Sequence, residues 1–289
     1  MGYRNVVVSP VGTSLLGNFV GAARSGRCGY CLEVVERFEG LGIDGWARLG
    51  LDDERNRYPD GLLCGFVEGS DVVEALARFV EEWGARSCAE VSGIEAIRSM
   101  YSINPSETLV VLLPTKTCNS LLCSRAIERF LRARYVGVET VPLRYVGSED
   151  DFDEFALEVL DKVVKRVKSE RARGRRVFVN AAPGFKAEVS FLVLASILAG
   201  ANAVVYIHEA FRVGVSLPIP PIAIDRNYLS RIAKAFSDRQ CIDLGIAMQI
   251  LSEEEIVEAI DRGILRKKHG EICIRNWIKY LLREVETGG

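Results

Sequence analysis

Val6-Val7-Val8-Ser9-Pro10-Val11-Gly12-Thr13-Ser14-Leu15-Leu16-Gly17-Asn18 is the stretch whose reading decides the fold. An apolar, β-branched run without alternation reads as a strand buried on both faces, and the Pro, Gly, Thr and Ser that follow read as its stop in a tight polar turn. From Leu15 the chain reads as a helix. In an open parallel sheet that turn lies at the carboxyl edge, where a helix N-terminus offers unpaired N–H groups and a partial positive charge. Gly12 to Asn18 is therefore a candidate anion cradle, with an ordinary capped turn as the alternative. It carries neither the dinucleotide fingerprint G-x-G-x-x-G nor the P-loop pattern G-x-x-x-x-G-K-[ST].

The same strand, polar turn and helix recur along the chain. Thr108 to Leu113 is a second unalternating strand, closed by Pro114-Thr115-Lys116-Thr117 and followed by a helix over 119–134. Arg176 to Ala182 is another, followed by Pro183-Gly184-Phe185-Lys186-Ala187-Glu188, an apolar helix over 188–199 and a strand over 203–207. Between them, 138–146 reads as a strand and 151–171 as a long helix with acids early and bases late, as the helix dipole prefers. Repetition of this unit predicts an α/β fold with a doubly wound, mostly parallel, Rossmann-like sheet. Lys186 at a helix start opposes the dipole. An anionic ligand would account for it, and so would a salt bridge to a nearby acid.

Upstream of the second strand, helices are expected in two pieces between Leu15 and Phe38, then over 71–83 and 87–100, with an irregular insertion over 40–70. After a Pro-rich extended stretch over 213–224, a helix begins at Asp225. The order of helix over 253–261, hairpin over 264–274 turning at Lys268-His269-Gly270, and helix over 276–284 is that of a small winged-helix-like domain. The expected division is 1–215 and 216–289.

With 289 residues, 48% of them hydrophobic, the chain can bury a substantial core. A formal net charge of −2 and a pI near 5.9 argue against a protein that coats duplex nucleic acid. Residues 216–289 hold 11 basic and 11 acidic side chains, so duplex DNA is not an expected partner of this segment. The dense basic run over 162–176 lacks interleaved aromatic residues and reads as a solvated helix face rather than an RNA patch. No uncharged apolar run approaches a membrane span and no N-terminal signal pattern is present, so a cytoplasmic protein with no membrane partner is expected. Of the eight cysteines only Cys28-Gly29-Tyr30-Cys31 has metal or redox spacing, and it lacks the second pair a zinc site needs. The cysteines read as structural, and an internal disulfide is left open.

The two turns together, Val8 to Asn18 and Asn180 to Glu188, resemble the paired ligand motifs of CRISPR-associated Rossmann-fold (CARF) proteins. Gly263-Ile264-Leu265 with Trp277 and Tyr280-Leu281-Leu282 is similar to the winged-helix tail of one branch of that family. The resemblance implies a homodimer binding a cyclic oligoadenylate, the second messenger of type III CRISPR interference, across its two-fold axis. It includes ring nucleases, which cut cyclic tetra-adenylate to linear di-adenylates. By position it implies Ser14 and Lys186 as the catalytic residues. Gly12, Thr13, Leu15, Asn18, Thr115, Lys116, Thr117, Pro183, Gly184 and Phe185 would bind the ligand, with no metal and no cofactor.

The chemistry is consistent with these residues on its own terms. Attack of a ribose 2′-hydroxyl on its own phosphate requires an in-line nucleophile and stabilised charge, and neither requires a metal. Lys186 can supply charge, while Thr13, Ser14 and the turn amides can position the phosphate. His208 and His269 are the only histidines, and each reads as structural rather than as half of an acid–base pair. Two rival readings remain. One is a messenger-sensing transcription regulator; the other is a messenger-activated ribonuclease using Arg262 and His269, whose spacing resembles that of a HEPN motif but straddles a helix end and a hairpin.

Overall fold

The computed structural model describes residues 2–50, 52–208, 211, 213–220, 222–237 and 239–286. Six strands form the main sheet: β1 (Asn5–Val11), β2 (Thr108–Pro114), β3 (Gly137–Thr140), β4 (Arg176–Asn180), β5 (Ala203–His208) and β6 (Val213–Leu217). Their order is β3-β2-β1-β4-β5-β6, parallel except for β6, which runs antiparallel to β5. The chain thus builds outward from β1 in one direction, then returns to the other side of β1 and builds outward again. The point of reversal lies between β1 and β4.

Strand residues divide between two apolar layers, as expected for strands buried on both faces. Val7, Val110, Leu112, Phe178 and Val205 point into one, beneath α1 (Ser14–Arg24), α2 (Gly29–Arg37), α3 (Asp71–Trp83), α4 (Ala89–Tyr101) and α5 (Cys118–Arg132). Val6, Val8, Leu109, Val111, Val177, Val179 and Val204 point into the other. That face is covered by α8 (Lys186–Leu198) and by one helical run comprising α6 (Glu149–Glu158), a π-wound stretch over Val159–Val164, and α7 (Lys165–Ala172). Among the described residues of 39–66 there are short 3-10 helices and one isolated bridge from Arg57 to Thr117, in agreement with the irregular insertion expected there.

Two expected strands have different ends. β1 continues through Pro10 to Val11; its ladder with β4 stops at Val8, so Pro10 lies beyond the doubly paired part of the strand. The strand expected over 138–146 ends as β3 at Thr140, before Pro142, which has no N–H for a ladder. From there Val141 and Leu143 donate single backbone bonds to Leu112 and Pro114.

The basic run is an ion-paired surface. Lys162 pairs with Glu158, Lys165 with Asp161, and Arg166 with Glu139. Arg166, Arg173 and Arg175 surround the buried carboxylate of Glu170, which also accepts from Tyr3 Oη at 3.0 Å.

The rest of the chain is α9 (Arg226–Phe236), β7 (Cys241–Asp243), α10 (Leu244–Ala247), α11 (Glu253–Asp261), β8 (Leu265–Lys268), β9 (Glu271–Ile274) and α12 (Asn276–Glu286). β7, β9 and β8 make a separate antiparallel sheet over its own apolar core. Ser252 and Glu255 close a capping box at the start of α11, and the hairpin turns at His269 and Gly270, both with positive φ. Trp277, Tyr280 and Leu281 pack against the main core. Asp153 of α6, buried, accepts from Arg275 Nε at 2.6 Å, and Arg266 pairs with Asp150. The boundary expected at 215/216 falls inside β6, which stays paired to β5 through Leu217.

Six cysteines are joined as Cys28–Cys31, Cys64–Cys118 and Cys241–Cys273, while Cys88 and Cys123 are buried thiols. No helix among the described residues is long and apolar enough to cross a membrane.

Where α4 crosses the sheet, Gly93 lies directly against the buried Asn180 carboxamide, and a methyl group at Gly93 would overlap it. Gly93→Ala gains about 1 kcal/mol of helix propensity but overpacks this contact, which typically costs roughly 1–3 kcal/mol or more. The variant is expected to be less stable than the parent; chemical denaturation showing equal or higher stability would disprove the constraint.

Candidate functional site at the sheet's switch point

In open α/β sheets ligands bind outside the carboxyl ends of the strands at the point where strand order reverses. Here that crevice opens between the turn after β1 and the turn after β4. The two turns touch: a Cβ on Gly12 would stand 3.5 Å from the Gly184 amide nitrogen, and one on Gly184 would stand 3.3 Å from Pro10 Cβ. Gly184 has φ +102°, and a side chain there would also meet Val189 at 2.7 Å, so this turn requires glycine. Gly12, Thr13 and Ser14 form one wall, Ala182 to Phe185 the other, and Ala89 and Glu90 the floor of a cleft of about 350 Å³. That is the lower end of the range for small-molecule sites, about 300–1,000 Å³.

Glu90, at the start of α4 and fully buried, organises the floor. Its Oε1 accepts from the Gly12 amide at 2.7 Å and its Oε2 from Ser14 Oγ at 3.1 Å. Ser14 Oγ in turn accepts from the Ala89 amide at 3.2 Å. Asn180, at the end of β4, donates to Ser9 Oγ at 2.9 Å and to the Glu90 carbonyl at 3.1 Å, and accepts from the Ala182 amide at 3.2 Å. One carboxylate and one carboxamide therefore lock both turns to α4.

These bonds change what the expected residues can offer. The Gly12 amide and the Ser14 hydroxyl proton are committed to Glu90, and Thr13 Oγ1 donates to the Ala47 carbonyl at 2.8 Å. In this geometry the protons of the Thr13 and Ser14 hydroxyls are turned to the protein, so each has only lone-pair acceptance left to offer. Leu15 contributes no side chain, being buried in the core, but the first-turn N–H groups of α1 have no partner within the helix. Asn18 donates to the Ser87 carbonyl at 2.9 Å, one turn further along α1, and lies outside the cleft lining.

On the second turn Pro183, Gly184 and Phe185 line the cleft, and Phe185 is 64% exposed. Lys186 is the first residue of α8, exposed, and next to the cleft rather than in its lining. Among the described residues it has no ion pair, so the salt-bridge account of a cation at a helix start finds no acid to support it. His208, at the end of β5 on the same edge, is exposed and stands 4.7 Å from the ring of Phe211, whereas His269 is in the hairpin turn.

The third turn does not join the cleft. It follows β2, on the side of β1 away from β4. Thr115 and Thr117 are buried with their hydroxyls 3.2 Å apart, Thr117 Oγ1 donates to Asn119 Oδ1 at 2.9 Å, and Lys116 pairs with Glu158 at 3.4 Å. Nothing local in the sequence marks Glu90 and Asn180 as the organisers of the site, since the contacts that tie them to Gly12, Ser14, Ser9 and each other span 76 to 171 residues. Among the described residues no group of three or more His, Cys, Asp or Glu is placed to hold a metal ion.

Residues 85–220 match the model of a family described as "CRISPR-associated protein (Cas_APE2256)". That match supports a CRISPR-associated protein. The matched segment takes in Glu90, Asn180, the second turn and Lys186. The chain is also similar to the crystal structure of protein VC1899 from Vibrio cholerae, at 7% identity and a TM-score of 0.30, covering 65% of this chain. It spans 60% of the length of that protein.

Glu188, two residues after Lys186, points into a small gap beside Pro10, Thr115 and Phe155. Burial pushes its carboxyl up to about 7, against one amide contact from Val146. A carboxyl raised in the folded state holds a proton that the unfolded chain gives up near the ordinary value of 4.5, so stability is lost as pH rises from there through about 7. Glu188→Gln is expected to leave stability unchanged near pH 4 and to raise it by about 2–3 kcal/mol near pH 8. Denaturant melts at both pH values check this; equal stabilities near pH 8 would show that the group is not desolvated.

Proposed function

We propose that this protein is a ring nuclease that binds cyclic tetra-adenylate and cuts it to linear di-adenylates by attack of a ribose 2′-hydroxyl on the adjacent phosphate. The observation that carries the reading is the convergence of the two turns at the switch point, where the helix after the second begins with a lysine that has no ion pair among the described residues. A cation at a helix N-terminus opposes the dipole unless an anion lies nearby. A ligand phosphate supplies that anion. The first-turn amides of α1 and the start of α8 supply donors, and the exposed ring of Phe185 supplies a surface on which a base can stack. The match to a CRISPR-associated family agrees with this reading.

In the proposed mechanism Lys186 stabilises the charge that grows on the phosphate, and the cleft holds the 2′-oxygen in line. No metal or cofactor has a part in it. The ligand repeats its phosphates about a two-fold axis, and one cleft is of the size of a mononucleotide site rather than a tetranucleotide one. We therefore assign a homodimer in which each protomer contributes the same two turns, with residues 216–289 as a winged-helix-like unit carried on the CARF-like part. Its charge balance favours the nuclease over a DNA-binding regulator.

Two outcomes are expected. In single-turnover cleavage of cyclic tetra-adenylate with excess chelator, the wild type is active and Lys186→Ala is slower by a factor on the order of 100 or more. A need for divalent metal, or a Lys186→Ala rate equal to wild type, would refute the mechanism. Light scattering at micromolar concentration should give a dimer without ligand; a monomer that persists with ligand would remove the shared site.

A further inference from the structure

We infer that Ser14 and Glu90 form a proton relay in which Ser14 accepts the proton of the attacking 2′-hydroxyl and passes its own to the Glu90 carboxylate. This rests on the reading of the cleft as a cyclic oligoadenylate site. Ser14 has one proton and two lone pairs. The proton lies on the bond to Glu90 Oε2 at 3.1 Å, and one lone pair takes the Ala89 amide at 3.2 Å. What remains for the cleft is a lone pair. A phosphate oxygen, itself an acceptor, is a poor partner for that lone pair, whereas a ribose hydroxyl is a good one.

Glu90 is held for this task. The Gly12 amide fixes its other oxygen at 2.7 Å, and Asn180 fixes its backbone carbonyl at 3.1 Å. The carboxylate is fully buried, bonded to Ser14, and acts through it as a positioning residue. Ser14 is half-buried and lines the cleft. In the step, the 2′-oxygen forms a bond to phosphorus and the bond from phosphorus to the 5′-oxygen breaks. The 2′-proton moves to Ser14 Oγ, the Ser14 proton moves to Glu90, and a water molecule protonates the departing 5′-oxygen. The products are a 2′,3′-cyclic phosphate and a free 5′-hydroxyl; Glu90 returns its proton to water before the next turnover.

The test compares wild type, Glu90→Gln, Ser14→Ala and the double variant in single-turnover cleavage of cyclic tetra-adenylate, with affinity measured on its non-cleavable 2′-deoxy analogue. A glutamine at position 90 can still accept from Gly12, but its amide donates to Ser14 and reverses the direction of that hydroxyl. Each single variant is expected to slow cleavage by a factor on the order of 100. The double variant should be no slower than either, because members of one relay are not additive. Affinity for the 2′-deoxy analogue should be unchanged, which a collapse of the cleft would not allow. Wild-type cleavage with a Glu90→Gln rate equal to it, or with multiplying losses in the double variant, overturns the relay and leaves the ring nuclease reading standing. If Glu90→Gln fails to fold, Ser14→Ala decides alone: a rate equal to wild type overturns the relay. A wild type that cleaves no cyclic oligoadenylate removes both.

Discussion

The Glu90 carboxylate is the interaction on which the rest of the site depends. A fully buried carboxylate is costly unless it is hydrogen-bonded, and this one is met by the Gly12 amide and the Ser14 hydroxyl at the end of β1 and by the buried Cys88 thiol. The two turns, the start of α4 and the end of β4 are therefore fixed as one unit. Asn180 completes it by binding Ser9, the Glu90 carbonyl and the Ala182 amide at once, a packing that leaves no room for a side chain at position 93. The floor of the cleft is thus one hydrogen-bonded network shared by β1, α4 and β4.

Much of this architecture is legible in the sequence because the information is local. Val6 to Val8, Thr108 to Leu113 and Val177 to Val179 show no alternation, and strands between two helical layers require none. The α3 and α11 ranges follow from apolar spacing and acid-rich first turns. The two turns could be paired because a parallel sheet brings every strand-to-helix turn to the same edge. Which turns become neighbours depends on strand order, and order is not written in any one segment. Thr115, Lys116 and Thr117 share the edge but stand on the side of β1 away from β4. Glu90 reads as an ordinary first-turn acid of a helix, and nothing near it in sequence marks the amide and hydroxyl that it serves. The same holds for Asp153, whose partner Arg275 is 122 residues away, and for the Cys64–Cys118 pair.

Charge follows a similar division between local and distant causes. The run over 162–176 is dense in bases, yet its acids come from β3, from the preceding turns of the same helix and from Glu170. Exposed pairs of this kind contribute about 0–1 kcal/mol each, so their main effect is to cancel a field that could otherwise attract nucleic acid. The Asp153–Arg275 pair is different, because both groups are largely removed from water. It fixes α12 and the hairpin against α6, and loss of either partner would leave a buried charge.

Lys186 is the residue that the rest of the structure leaves unresolved. It starts a helix, where its charge is disfavoured, and no described acid pairs with it. The acid next along, Glu188, is held by burial at about 7, so near neutral pH it is only partly ionised and cancels little of the lysine's charge. The other acid of the site, Glu90, is already committed to Gly12 and Ser14. Two carboxyls thus lie close to the second turn, one desolvated and one hydrogen-bonded, and neither neutralises the cation. Sequences that fold well satisfy local preferences almost everywhere, and the exceptions concentrate where function overrides stability. A lysine at a helix start with no ion pair among the described residues is such an exception, and an anion from outside the chain is what the proposed function supplies to it.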